Sequence, residues 1–245
     1  MATEIHAPSP SPNLHSRNDD GYELAKIGAC LLMIVNHCTF HLGTAAMLLG
    51  FIVSRAAMPT FAFILVDRLM ADREARAFRL GRNLLLWGLF SQIFYGYFNR
   101  QAGFSTNILI DFLAGVWLIS VNARYGFKSK MPLIIPALAA TAMLNPYFGY
   151  TAALPIGMLL AANFVKRSKP LAMAIILVAG ALGNNVYMMR REVAVAVVAS
   201  SFLTVPLIAF SRELKKYSPR LPKMFFYAYY PFTYAVAIVI DRLRA

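Results

Sequence analysis

Within the apolar stretch KIGACLLMIVNHCTFHLG, Lys26 to Gly43, a lysine stands eleven residues before a histidine, His37. At about 100° per residue this spacing comes within ~20° of three full turns, so on a helix both side chains share one face, ~16 Å apart along the axis. An imidazole deep in an apolar segment can act as a general base, and a lysine at the segment's boundary can anchor the phosphates of a donor. The plainer alternative is a snorkelling lysine and a histidine bonded to a neighbouring helix. Asn36 adjoins His37 and can orient it. His41, one turn on, forms an i, i+4 pair with His37, but neither an HExxH pattern nor a third ligand accompanies it, so no metal site is expected.

Other polar side chains interrupt later apolar runs. Arg55 lies in SRAAMPTFAF, where Pro59 removes the backbone bond to residue 55 and breaks the helix. An arginine there either satisfies freed carbonyls or Asp111, or it faces an acyl carbonyl, a phosphate or a substrate carboxylate. Asn107 and Asp111 open a fourth apolar run, and Asn184 with Asn185 follow Gly183 in a seventh, where interhelical hydrogen bonding is the usual role. The arginine-rich run DRLMADREARAFRLGR, Asp67 to Arg82, reads as a solvated loop or interfacial helix that attracts anionic headgroups, or as part of a nucleotide site. The aromatics of MFFYAYYPFTYA suit an interface belt with packing, or a substrate lining.

These groups need elements to carry them, and the composition says which. The 245 residues are 59% hydrophobic and 14% charged, with mean hydropathy +0.56, outside the balance of a soluble domain. We expect an all-α, polytopic integral membrane helix bundle of about nine transmembrane segments. They run over Leu24–Leu42, Met47–Val66, Asn83–Phe98, Asn107–Val121, Pro132–Leu144, Tyr150–Val165, Leu171–Met189, Val193–Phe210 and Phe225–Ile240. Residues 1–21 form a flexible tail without signal-peptide character, and 22–245 a single transmembrane domain.

The net charge of +13 would suggest nucleic acid in a soluble chain, but the basic residues cluster between apolar runs and no nucleic-acid partner is expected. On the nine-span scheme 16 Lys and Arg fall in loops on one side and five on the other, which puts the N-terminus in the cytoplasm and the C-terminus outside. Cys30 and Cys38 are ~12 Å apart along one helix and cannot bridge. There is no internal repeat, Walker motif or dinucleotide fingerprint.

Six pieces in order, KIGACLLMIVNHC, SRAAMPTFAF, GRNLLLWGLFSQIFYGY, TNILIDFLAG, GYTAALPIGMLL and LPKMFFYAYYPFTYA, resemble the TraX family of F-type pilin acetylases and TrbP-type conjugal transfer proteins. The Lys26-to-His37 spacing is also similar to that of the wider transmembrane acyltransferase superfamily. The resemblance implies a multi-pass protein of the bacterial inner membrane, in contact with lipid, that modifies a conjugative pilin subunit with acetyl-CoA as co-substrate. By position His37 matches the catalytic histidine, Arg55 the arginine of an R-x-x-x-P element, and Lys26 the basic group near the coenzyme A phosphates. Asn36 is assigned to catalysis beside His37, Arg82 to the cofactor, and Gln92, Asn107, Asp111 and Tyr230 to the substrate.

The chain departs from the family pattern twice. Asn36 stands where Asp is usual, and an asparagine orients an imidazole without stabilising its cation. Thr233 stands where the Tyr-Pro-x-His element has its histidine. The departures keep two alternatives open: head-to-tail cyclisation of pilin by peptidyl transfer, and a non-catalytic pilin chaperone or scaffold. Secondary transport is a more distant alternative.

Overall fold

The computed structural model describes residues 21–39, 44–71, 73–98, 107–125, 149–184, 189–219 and 221–244. The expected tail up to residue 20, the fifth span Pro132–Leu144, His41 and Asn185 lie outside the described residues.

The described residues are helical, with no strand among them. In chain order the helices are α1 (Glu23–Thr39), α2 (Thr44–Val53), a 3₁₀ turn (Ser54–Ala56), α3 (Ala57–Ala71), α4 (Arg73–Phe98), α5 (Ile108–Tyr125), α6 (Gly149–Phe164), α7 (Lys169–Gly183), α8 (Arg191–Ser201), α9 (Thr204–Glu213), a second 3₁₀ turn (Lys215–Tyr217) and α10 (Lys223–Arg244). The run Thr44–Ala71 is 28 residues long and Arg191–Glu213 is 23, and both are long and apolar enough to cross a membrane. Four more described helices are apolar but shorter.

The arginine-rich run expected as a loop or interfacial helix is helical on both sides of residue 72. Its first turn extends α3 past Val66 because Leu69 and Met70 find buried places in the core. The expected eighth span is bent between α8 and α9, where the chain turns at Phe202 and Leu203.

Packing is largely sequential. Helices α4, α5, α6 and α7 follow one another as neighbours, α3 lies against α6 and α7, and α10 returns to close against α4 and α1. The tightest approach is between α6 and α7, where a Cβ on Gly157 would collide with the Ala179 side chain, so only glycine permits the contact. The core is drawn from most of the helices and includes Phe63, Leu118, Leu154, Met158 and Ile176. Large apolar side chains also cover the outside: Leu86, Leu89 and Ile93 on α4 are 59%, 57% and 70% exposed. A water-facing surface rarely carries so continuous an apolar stripe.

Candidate functional site

The predicted face of α1 exists. Lys26 and His37 are both buried and both meet α10, the lysine ammonium lying over the Phe226 ring at 4.7 Å and the imidazole against Tyr234 with ring centroids 4.3 Å apart. Between them the Tyr229 hydroxyl donates to the Cys30 carbonyl at 2.8 Å and ties the helices together.

His37 meets Thr233 on α10, with Nδ1 2.9 Å from Thr233 Oγ1, and that hydroxyl also reaches the Tyr230 carbonyl at 2.8 Å. When the threonine proton is on the Tyr230 carbonyl, its oxygen accepts from Nδ1–H and the imidazole lone pair is on Nε2. Pro231, within α10, has no N–H to give to the preceding turn, and Thr233 follows it by two residues. Tyr234 extends the stack, with edge contacts to Tyr95 at 5.7 Å and Tyr230 at 5.2 Å.

Arg55 sits in the 3₁₀ turn that precedes α3, as the Pro59 break requires. Hydroxyl groups cover the carbonyls around the break: Thr60 and Thr204 donate to Ala56 O at 2.7 and 3.0 Å, and Ser200 to Ile52 O at 2.6 Å. The guanidinium is held from several sides. Nε donates to Phe51 O at 2.9 Å, Nη1 to Asn184 Oδ1 at 2.7 Å, and Nη2 weakly to Asn36 Oδ1 at 3.5 Å, with Cζ 4.0 Å from the Phe51 ring centroid. Each of these acceptors is neutral, so none of them cancels the guanidinium charge while they orient it. Asn36, which accepts from the guanidinium, adjoins His37 on α1, so imidazole and cation share one neighbourhood. Such a pair can deprotonate an amine and stabilise an oxyanion.

The other expected site residues have varied surroundings. Asn107 caps α5 by accepting from Leu109 N at 3.1 Å, and its amide donates to Gly88 O at 2.7 Å and Gln92 Oε1 at 2.9 Å. Gln92 and Asn107 thus join α4 to the start of α5. Tyr230 is buried, its hydroxyl 3.2 Å from that of Tyr234, and Asp111 is buried on α5. Arg82 is exposed on α4. Lys26 is ion-paired with Glu23, one turn back on α1, and Glu23 also lies 3.6 Å from Arg68.

Asn184, expected to make interhelical hydrogen bonds, makes one to Arg55, 129 residues away. Thr233, which the sequence shows only as a departure from the family pattern, is the partner of His37. The departure itself is its signal, a hydrogen-bonding side chain in place of another.

The family model described as TraX protein matches residues 22–241 of the chain. No curated protein and no solved structure matches it.

Proposed function

The chain belongs to the TraX family, and on that premise we propose that it is a multi-pass protein of the bacterial inner membrane that acetylates a conjugative pilin subunit from acetyl-CoA. Family membership implies a conjugation-related, pilin-associated protein. The observation that carries the chemistry is the pair of His37, bonded through Nδ1 to Thr233, and Arg55, aimed by neutral acceptors.

In this reading the pilin amine attacks the thioester carbonyl, and the oxyanion that forms is stabilised by Arg55. His37 Nε2 takes the amine proton and returns it to the sulfur as the C–S bond breaks, leaving an acetylated amine and coenzyme A as thiol. Asn36, one residue before the base, and Asn184 hold the arginine. Kinship with the wider transmembrane acyltransferases is part of the same proposal, supported by the Lys26-to-His37 spacing.

The exposed apolar stripe of α4 and the two long apolar runs support a membrane setting. We place the N-terminus and the arginine-rich end of α3 and α4 in the cytoplasm, in a bundle of about nine spans, on the 16-to-five distribution of basic residues. A reporter fused after Arg82 should then behave as cytoplasmic and one fused at Ala245 as periplasmic; the opposite pattern overturns this orientation.

A second reading has one observation in its favour. The Thr233 hydroxyl is 2.9 Å from His37 Nδ1. In the tautomer that leaves this nitrogen unprotonated, it can give its proton to the imidazole and attack a peptide carbonyl near the pilin C-terminus, expelling the segment beyond as an amine. The pilin N-terminal amine then displaces the threonine and closes the ring without coenzyme A. Intact mass spectrometry of pilin from cells with and without the protein separates the readings. Acetylation adds about 42 Da, ring closure leaves pilin about 18 Da lighter than the linear chain of the same residues, and an unchanged mass leaves only the chaperone or scaffold.

A further inference from the structure

At the end of the bundle remote from His37, four elements meet around an open pocket of about 300 Å³. They are the residues entering α1, the end of α3, the start of α7, and the end of α9 with its following 3₁₀ turn. The pocket is lined by Tyr22, Asp67, Arg68, Lys169, Arg212 and Lys215 among others. Counting back along α1, Tyr22 lies ~22 Å from His37.

The pocket is built rather than incidental. Gly21 takes φ +72°, and a Cβ there would press on the Lys215 stem at 3.3 Å, so the glycine lets that lysine lie against the turn. Ser211 pins the same turn, donating to Gly21 O at 2.7 Å and accepting from Ala25 N at 3.1 Å. Asp67 accepts from the Tyr22 hydroxyl at 2.5 Å, from Lys169 at 2.9 Å and from Arg212 at 3.3 Å, while Arg212 also donates to the Tyr22 hydroxyl. Burial, reinforced by Asp67, pushes the Tyr22 phenol above its ordinary pKa, so it stays a neutral donor to Asp67.

Among the described residues that line the pocket, the four basic side chains of Arg68, Lys169, Arg212 and Lys215 outnumber the one carboxylate, Asp67. Arg68, Lys169 and Arg212 keep partly exposed side chains, so they can reach an incoming ligand. A multiply charged anion fits that deficit better than a single carboxylate, because several Arg and Lys donors can each take a separate oxygen. The volume lies at the lower end for ligand pockets and suits a phosphate or diphosphate group with its point of attachment.

We propose that the pocket formed by Arg68, Lys169, Arg212 and Lys215 binds a phosphate-bearing anion. The phosphate belongs either to a soluble molecule such as a nucleotide donor or to a phospholipid headgroup. The site stands independently of acyl transfer, since it uses neither His37 nor Arg55.

The test uses the full-length protein in phosphatidylcholine nanodiscs, titrated calorimetrically with inorganic pyrophosphate. Saturable binding is expected, weakened about tenfold or more by Lys215→Gln and unchanged by Lys166→Gln, which removes an exposed charge outside the pocket. That result assigns a soluble phosphate. If pyrophosphate does not bind, but phosphatidylglycerol in the discs raises the Tm and Lys215→Gln cancels the rise, the site takes a lipid headgroup. Equal weakening by the two lysine variants, or no response to either probe, overturns the proposal. His37→Ala should bind pyrophosphate like the wild type, so loss of pilin modification and loss of anion binding fail separately.

Discussion

Replacing His37 by alanine should lower the rate of pilin modification by about 10² to 10⁴, the usual contribution of a general base, while the protein stays inserted and abundant. The structure makes the second half of that expectation specific. His37 is buried against Tyr234 and bonds to Thr233, but the Thr233 hydroxyl keeps its own acceptor at Tyr230 O when the imidazole is gone. Loss of the bond to Thr233 and of packing on Tyr234 costs ~1–3 kcal/mol, and the threonine hydroxyl keeps a partner. Thr233 variants sharpen the result. Thr233→Val removes the acceptor that holds the proton on Nδ1, and a drop of roughly tenfold is expected from a base whose tautomer is no longer set. Thr233→Ser should retain the rate. Complete loss in Thr233→Val, with a covalent pilin adduct trapped on the wild type, would favour the threonine nucleophile. Full activity in His37→Ala would sink both chemical readings.

Arg55→Lys should cost about 10² to 10³ in kcat with little change in KM, because an oxyanion exists only after attack has begun. Lysine keeps the charge but not the planar fork, and cannot donate at once to Phe51 O, Asn184 and Asn36 as the guanidinium does. The competing role is structural: an arginine that only satisfies the carbonyls at the Pro59 break. In that case Arg55→Lys would lower Tm and membrane abundance, while the rate per folded molecule would stay at the wild-type value. Measuring rate against the quantity of inserted protein separates the two roles, and a wild-type rate would remove Arg55 from the chemistry.

Much of the molecule was legible because helices are written in short-range spacing. The eleven-residue interval from Lys26 to His37 placed both on one face of α1, and both do meet α10. Pro59 announced a break at Arg55, and a 3₁₀ turn is found there. The ordered motifs carried the TraX resemblance, which holds over residues 22–241. Helix ends were less legible: α3 runs on to Ala71 through charged residues because Leu69 and Met70 are buried by tertiary packing, which local hydropathy does not report.

What each polar side chain does was decided by partners far along the chain. Gln92 and Asn107, 15 residues apart, bond to one another once α4 and α5 are packed. Arg55 finds Asn184 across 129 residues and His37 finds Thr233 across 196. The basic pocket draws on four elements whose charges, read singly, are ordinary topology signals. The sequence by itself determined the helical class, the apolar segments, the family and the common face of α1, because these depend on periodicity and local order within a few turns. The partner of His37, the aim of Arg55 and the clustering of the basic residues were decided only by tertiary structure, because hydrogen bonds and Coulomb interactions act over a few ångströms in space and are blind to separation along the chain.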